Sequence, residues 1–246
     1  MVEKILDMTL GAPDAGHPVP VRRDLYVRRF LSVSQLLVKS CFERIDLQAN
    51  LKETIPSAAV VYSNHPSFWD PLMCALVTRH LFPGHHVFAP IEEKAMSRFW
   101  FFQGLGFFPV RVGTVVGLRS FLKVGQAILE KVEKPCLTLT PEGHFTEPSL
   151  RPVRLQRGLA RLLRNGANRT ISAYPLAIEY RFQENFRPTA FLKLGSPLIL
   201  QPDGPVEEAA LHQSLESLLE ETMNDNLERI QKKYVGTNLL RSTPTT

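Results

Sequence analysis

A histidine and an aspartate five residues apart, in Asn64-His65-Pro66-Ser67-Phe68-Trp69-Asp70, are the pair in this chain best suited to chemistry. They follow the apolar run Ala58-Ala59-Val60-Val61-Tyr62, which reads as a buried strand, so His65 stands at a strand end and Asp70 in the next turn. A carboxylate there can hold the imidazole in one tautomer and stabilise its protonated form, the arrangement of a general base that works near neutral pH. A second strand, Leu137-Thr138-Leu139-Thr140, runs into Pro141-Glu142-Gly143. Parallel strands deliver their carboxyl ends to one edge, where open α/β sheets bind ligands, so Glu142 and Gly143 are expected to share a cleft with His65 and Asp70. Gly143 permits a positive φ or a close backbone approach. Taken alone, a histidine–aspartate pair is also a common structural hydrogen bond, and proline-glutamate-glycine is also a turn.

The cations come third. Arg111 follows Phe107-Phe108-Pro109-Val110, and Arg157, Arg161 and Arg164 recur at helical spacing. Arginine's planar fork suits a phosphate. Arg111 and Arg157 are expected at the cleft, whereas Arg161 and Arg164 read as a solvated face. Gly158 would open backbone N–H groups to an anion.

These residues need a scaffold, and the chain supplies a pattern for one. Strands are expected at 58–63, 86–89, 107–112, 136–140, 171–180 and 188–195. Helices are expected at 69–81, 92–103, 116–132, from about Leu155, and at 206–233. That alternation predicts a single α/β domain, 51–234, with a mostly parallel or mixed central sheet flanked by helices. Ahead of it, 1–20 reads as a flexible leader. Residues 21–50 read as an amphipathic helix over Arg22–Asp46, with Arg22, Arg23, Arg28, Arg29 and Lys39 on a basic face. Its two readings are a membrane-surface helix and a helix packed on the domain. Residues 235–246 read as a tail that frays. The stretch Phe99–Phe108 holds six aromatic rings in ten residues, as core or as an acyl channel or interfacial wedge.

Bulk properties narrow the classes. The 246 residues carry a net charge of +5, unevenly placed: 95–129 and 151–169 contain no acid, and the second holds six arginines. Such stretches favour an anionic partner, or form a basic surface. Three scattered cysteines make no disulfide framework and no C-x-x-C metal site. No signal peptide and no apolar run of about 18 residues is seen, so the expectation is a cytoplasmic protein, peripheral on the cytoplasmic membrane face. G-x-S-x-G, a P-loop and a dinucleotide G-x-G-x-x-G are all missing, and His80, His85, His86 and His144 lack metal-ligand spacing, His85-His86 reading as surface or turn. The arginines flank aromatic, apolar segments, which argues against nucleic acid.

In order and spacing, four segments resemble the glycerophospholipid acyltransferase superfamily, which includes lysophosphatidic acid and glycerol-phosphate acyltransferases. His65 to Asp70 matches its histidine-x4-aspartate block, and Gly106-Phe107-Phe108-Pro109-Val110-Arg111 its glycine-aromatic block ending in arginine. Pro141-Glu142-Gly143 matches the third, with Gln156-Arg157-Gly158 approximating the basic step beyond it. Tyr174-Pro175-Leu176-Ala177-Ile178 is similar to the fourth. The resemblance spans about residues 58–180. It departs where threonine-arginine-serine commonly follows the glycine: here stand His144, Phe145 and Thr146, with Arg151 or Arg154 as nearby substitutes. The second block is also one residue tighter before Arg111.

The resemblance implies acyl transfer from acyl-CoA or acyl carrier protein, as donor substrate and without a cofactor or metal, to a lysophospholipid-type hydroxyl. His65 would be the base and Asp70 its orienting partner. Arg111 and Arg157 would hold the acceptor phosphate, with Glu142 and Gly143 shaping the pocket. Two rival expectations are an acyltransferase for a non-phosphate lipid and a peripheral lipid-binding protein without turnover.

Overall fold

The computed structural model describes residues 18–49, 56–98, 102, 104–165, 168–202, 204 and 206–241. Among them are nine strands in one mixed sheet and six helices. In chain order these are α1 (Asp24–Cys41), β1 (Arg44–Ala49), β2 (Ala59–Ser63), α2 (Asp70–Leu81), β3 (His86–Glu92), α3 (Glu93–Arg98), β4 (Phe107–Val110) and α4 (Val115–Lys131). There follow β5 (Pro135–Leu139), α5 (Gly158–Arg164), β6 (Ile171–Arg181), β7 (Thr189–Leu194), β8 (Leu198–Leu200), α6 (Glu208–Gln231) and β9 (Thr237–Asn238).

The sheet order is β4-β3-β5-β2-β6-β7-β1-β9, with β8 alongside β6. The five strands from β4 to β6 are parallel. β7 and β8 run antiparallel to β6, β1 is parallel to β7, and β9 closes the edge antiparallel to β1. Strands β2 and β5 are buried along their whole length and read as continuous apolar runs, as strands covered on both faces do. One face packs on α4, α5 and α6 through Phe121, Ile128, Leu162, Leu215 and Leu219. The other packs on α1 and α2 through Val38, Phe42, Met73 and Val77.

The amino-terminal helix is shorter than its periodicity predicts. It ends at Cys41, and Arg44–Ala49 forms β1, in register with β7. Ile45 and Leu47 are buried, and so is Asp46 between them, because Arg229 of α6 donates to its carboxylate and its carbonyl. Among the described residues, no helix is long and apolar enough to cross a membrane. Helix α1 buries Ser34 and Val38 and leaves Leu25, Val33, Leu36 and Leu37 exposed, so it is docked on the domain and apolar outside as well. The start of the tail does not fray: Gly236 donates to Asp46, Thr237–Asn238 pairs with β1, and Leu239 is buried. The leader 1–17 and the residues 99–101 and 103 of the aromatic stretch lie outside the described residues. Of that stretch, Phe108 is core, stacked on Phe121 at 6.4 Å, and Phe102 meets Phe107 edge to face at 5.0 Å.

Candidate active site

Strand β2 ends at Ser63, and Asn64 extends its pairing with a side chain. Its Nδ2 donates to the Ile178 carbonyl at 2.9 Å and its Oδ1 accepts from the Ile178 N–H at 2.8 Å. The amide thus stands in for one more ladder rung at the buried strand end, and fixes where the next residue, His65, leaves the sheet.

His65 Nδ1 lies 2.7 Å from Asp70 Oδ2, and the Asp70 side chain is fully buried while His65 is 18% exposed. Asp70 opens α2, where the helix dipole favours a carboxylate. Its oxygens are otherwise occupied: Oδ2 accepts from the Ser67 N–H at 3.0 Å, and Oδ1 from the Tyr180 hydroxyl at 2.7 Å. Burial and the adjacent Asp70 charge push the Tyr180 phenol well above its ordinary range, so Tyr180 stays neutral and acts as a donor. With Nδ1 committed to Asp70, Nε2 is the ring nitrogen left for a substrate proton.

Glu142 grips the same histidine from the neighbouring strand end. Its Oε2 accepts from the His65 backbone N–H at 2.6 Å, the His65 carbonyl accepts from the Thr146 N–H at 2.9 Å, and the Phe145 ring lies 4.4 Å from the imidazole. Burial raises the Glu142 carboxyl above its usual range; the His65 N–H and the charges of His65 and His144 work against that rise. Gly143 sits at φ +78°, a left-handed turn that a side chain would strain, and a Cβ there would lie 3.4 Å from both Gln156 Cγ and Val112 Cγ1. The turn after β5 is therefore flanked by the loop after β4 and by the approach to α5.

His65, Asp70, Glu142 and Gly143 accordingly form one cluster. Arg111 and Arg157 are the chain neighbours of Val112 and Gln156, which flank Gly143, and they are in different states. Arg111 is engaged with Glu93 by two hydrogen bonds, at 2.6 and 3.1 Å, and its side chain is 61% exposed. Arg157 is exposed and, among the described residues, no carboxylate accepts a hydrogen bond from it; Glu208 feels only its charge. Arg151 serves its own loop, donating to the Pro148 and Leu150 carbonyls and to Asn224 of α6. Arg154 is far out, 3.8 Å from Glu216.

No known family model matches the chain, and neither does any characterised protein. Among solved structures, the crystal structure of the pilus retraction motor PilT with bound ADP aligns at 11% identity and a TM-score of 0.34, over 94% of this chain. The chain spans 64% of that chain's length. A likeness this faint carries no argument about fold or chemistry.

Several expectations about neighbouring residues change. Gly158 lies against α4, where a Cβ would be in ordinary contact with Leu118 at 3.4 Å and Phe121 at 3.5 Å. Arg161 and Arg164 are not a free solvated face, since both pair with Glu208 of α6. His85 is buried, and its Nε2 donates to the Pro56 carbonyl at 2.9 Å. Tyr180 and Phe145 escape a reading by sequence. Tyr180 lies 110 residues from Asp70 at the end of a strand, and its only signal is a tyrosine near the carboxyl terminus of an otherwise apolar run. The nearest thiol is no nucleophile: burial and Asp70 push Cys74 up to about 12.

Proposed function

We propose that the chain is an O-acyltransferase that moves a fatty acyl group from an acyl thioester, acyl-CoA or acyl carrier protein, to a hydroxyl of a lysophospholipid-type acceptor at the cytoplasmic face of a membrane. The observation that carries this reading is the 2.7 Å bond from His65 Nδ1 to an Asp70 fully buried and held by Tyr180 and Ser67, with Nε2 making no hydrogen bond among the described residues, at the carboxyl edge of a parallel sheet. His65 Nε2 takes the acceptor's hydroxyl proton while the oxygen attacks the thioester carbonyl carbon. The C–S bond then breaks, and the leaving thiolate takes the proton back from the imidazolium. Asp70 stabilises that imidazolium, and no covalent acyl-enzyme is required. Arg157 is the cation best placed to meet an acceptor phosphate, and Arg111 would exchange Glu93 for it. The Glu93 pair gives some support to a second acceptor class, a lipid hydroxyl without phosphate.

The test is thiol release from palmitoyl-CoA with lysophosphatidic acid as acceptor, the product being followed by mass spectrometry. Acylated lipid should form, and His65→Ala should lower its rate by roughly 10²–10⁴-fold. Equal rates in the two proteins would remove the base from the mechanism. Vesicle binding with no thioester consumed, by either donor carrier, would favour a lipid-binding protein.

A further inference from the structure

The two edges of the parallel sheet differ in what they show to solvent. Among the described residues, the loops that enter its strands, 56–58 before β2, 82–85 before β3, 132–134 before β5 and 168–170 before β6, expose no large apolar side chain, and Leu105 before β4 is buried. The loops that leave the same strands do so repeatedly. Phe68 follows β2, Val112 and Val115 follow β4, and Phe145 follows β5. The turn from β6 to β7 carries Phe182, 72% exposed, and Phe186, fully exposed. Single exposed apolar residues are ordinary, but here they collect on the one edge that holds His65.

The form of this rim indicates its partner. Its members come singly from separate loops around a polar centre, an arrangement that asks little shape complementarity of a partner. A fluid interface needs no such complementarity and takes aromatic side chains at its surface. The cations fit as well: the leaving loops contain Arg151, Arg154, Arg157 and Arg187 against the exposed acids Glu147 and Glu184. Arg154 is 77% exposed and only loosely paired, 3.8 Å from Glu216, and Arg157 is exposed with no carboxylate accepting a hydrogen bond from it among the described residues. Arg187 is paired with Glu43 at 2.7 Å and also donates to the Lys39 carbonyl at 2.9 Å, which brings the last turn of α1, beside exposed Leu36 and Leu37, to the same edge.

We infer that the carboxyl-edge rim, led by Phe182 and Phe186 on the β6–β7 turn, seats the protein on an anionic lipid bilayer with His65 facing the headgroups. An amphiphilic acceptor then presents its hydroxyl to Nε2 without leaving the lipid phase; this second step rests on the acyltransferase reading, and the docking surface does not.

The experiment is sedimentation of the full chain with vesicles of phosphatidylcholine and phosphatidylglycerol, beside the double variant Phe182→Ser/Phe186→Ser. Both substituted positions are in solvent, so the variant should match the parent in circular dichroism and thermal unfolding. The parent should sediment with the vesicles and the variant should partition roughly 10- to 100-fold less. Acylation of vesicle-borne lysophosphatidic acid should fall in parallel, while a short-chain acceptor in free solution is acylated equally by both. A parent that stays in the supernatant, or a variant that binds as tightly, overturns the docking surface. So does a parent that scatters light as a dimer, is made monomeric by the substitutions and ignores vesicles, for then a second copy covers the rim. Vesicle binding lost in the variant, with no thioester consumed by either protein, keeps the surface and removes the acyltransferase.

Discussion

A buried carboxylate must have its lone pairs met, and at Asp70 the residues that meet them also decide how His65 stands. The Tyr180 hydroxyl is held neutral by burial and by Asp70 itself, and it fixes the carboxylate from the side away from the imidazole. Tyr180→Phe leaves Oδ1 without that donor and lets the pair rotate. We expect kcat to fall about tenfold with KM unchanged, since Tyr180 touches no substrate position and acts through Asp70. A rise in KM with kcat intact would mean that the ring lines the acceptor site. Glu142 makes the opposite kind of demand. Its folded pKa is raised, so its burial costs nothing below the unfolded pKa of about 4.3, and the cost grows as pH rises from there to the folded value. Glu142→Gln keeps an acceptor for the His65 N–H and removes the charge. Relative to the parent, its urea midpoint should therefore be more favourable at about pH 7 than at about pH 4. A difference that shrinks over that interval would show the carboxylate to be net stabilised where it lies.

The elements were legible where pattern is local and obscure where it is not. Strands β2 and β5 are apolar runs, β6 is apolar from Ala173 to Ile178, and α2, α4 and α6 repeat their apolar residues at helical spacing; these fall within a few residues of where the sequence puts them. Strand β1 failed because its centre is Asp46, and an acid inside a strand looks like the end of a helix until its partner is known. That partner, Arg229, lies 183 residues away and also donates to the Leu192 carbonyl and to Asn226. Short β8 and β9 have no periodicity to detect. The site divides in the same way. His65, Asp70, Glu142 and Gly143 could be gathered from two strand ends, because a parallel sheet brings such ends together whatever the intervening chain does. The hydrogen bond from the His65 backbone to Glu142 could not be read, since it depends on the depth at which each turn leaves its strand. Nor could the pairing of Arg161 and Arg164 with Glu208, which requires α6 to return across α5.

For the whole molecule, the sheet is closed at its far edge by very little chain, and that sets a limit on the stability of the site. Strand β1 would present an open ladder to solvent if β9 were gone, and open edges recruit other strands. The segment that covers it does three things at once. The Gly236 N–H donates to both oxygens of Asp46, at 3.0 and 3.1 Å, and Arg44 donates to the Gly236 carbonyl at 2.6 Å. Leu239 is buried against the core on the α1–α2 side. Position 236 must be glycine, since a Cβ would lie 2.3 Å from the Leu47 carbonyl oxygen. Removing residues 236–246 strips one shared donor from a buried carboxylate and exposes a buried leucine, together about 3 kcal/mol. The truncated protein should unfold at a correspondingly lower urea concentration with an undiminished m-value, and should associate at concentrations where the full chain is monomeric. The His65–Asp70–Glu142 cluster lies at the ends of β2 and β5, four and five strands from β9, so under the proposed function thioester turnover per folded molecule should persist at low denaturant. An unchanged midpoint would mean that the buried Asp46–Arg229 network holds β1 in place without its cover.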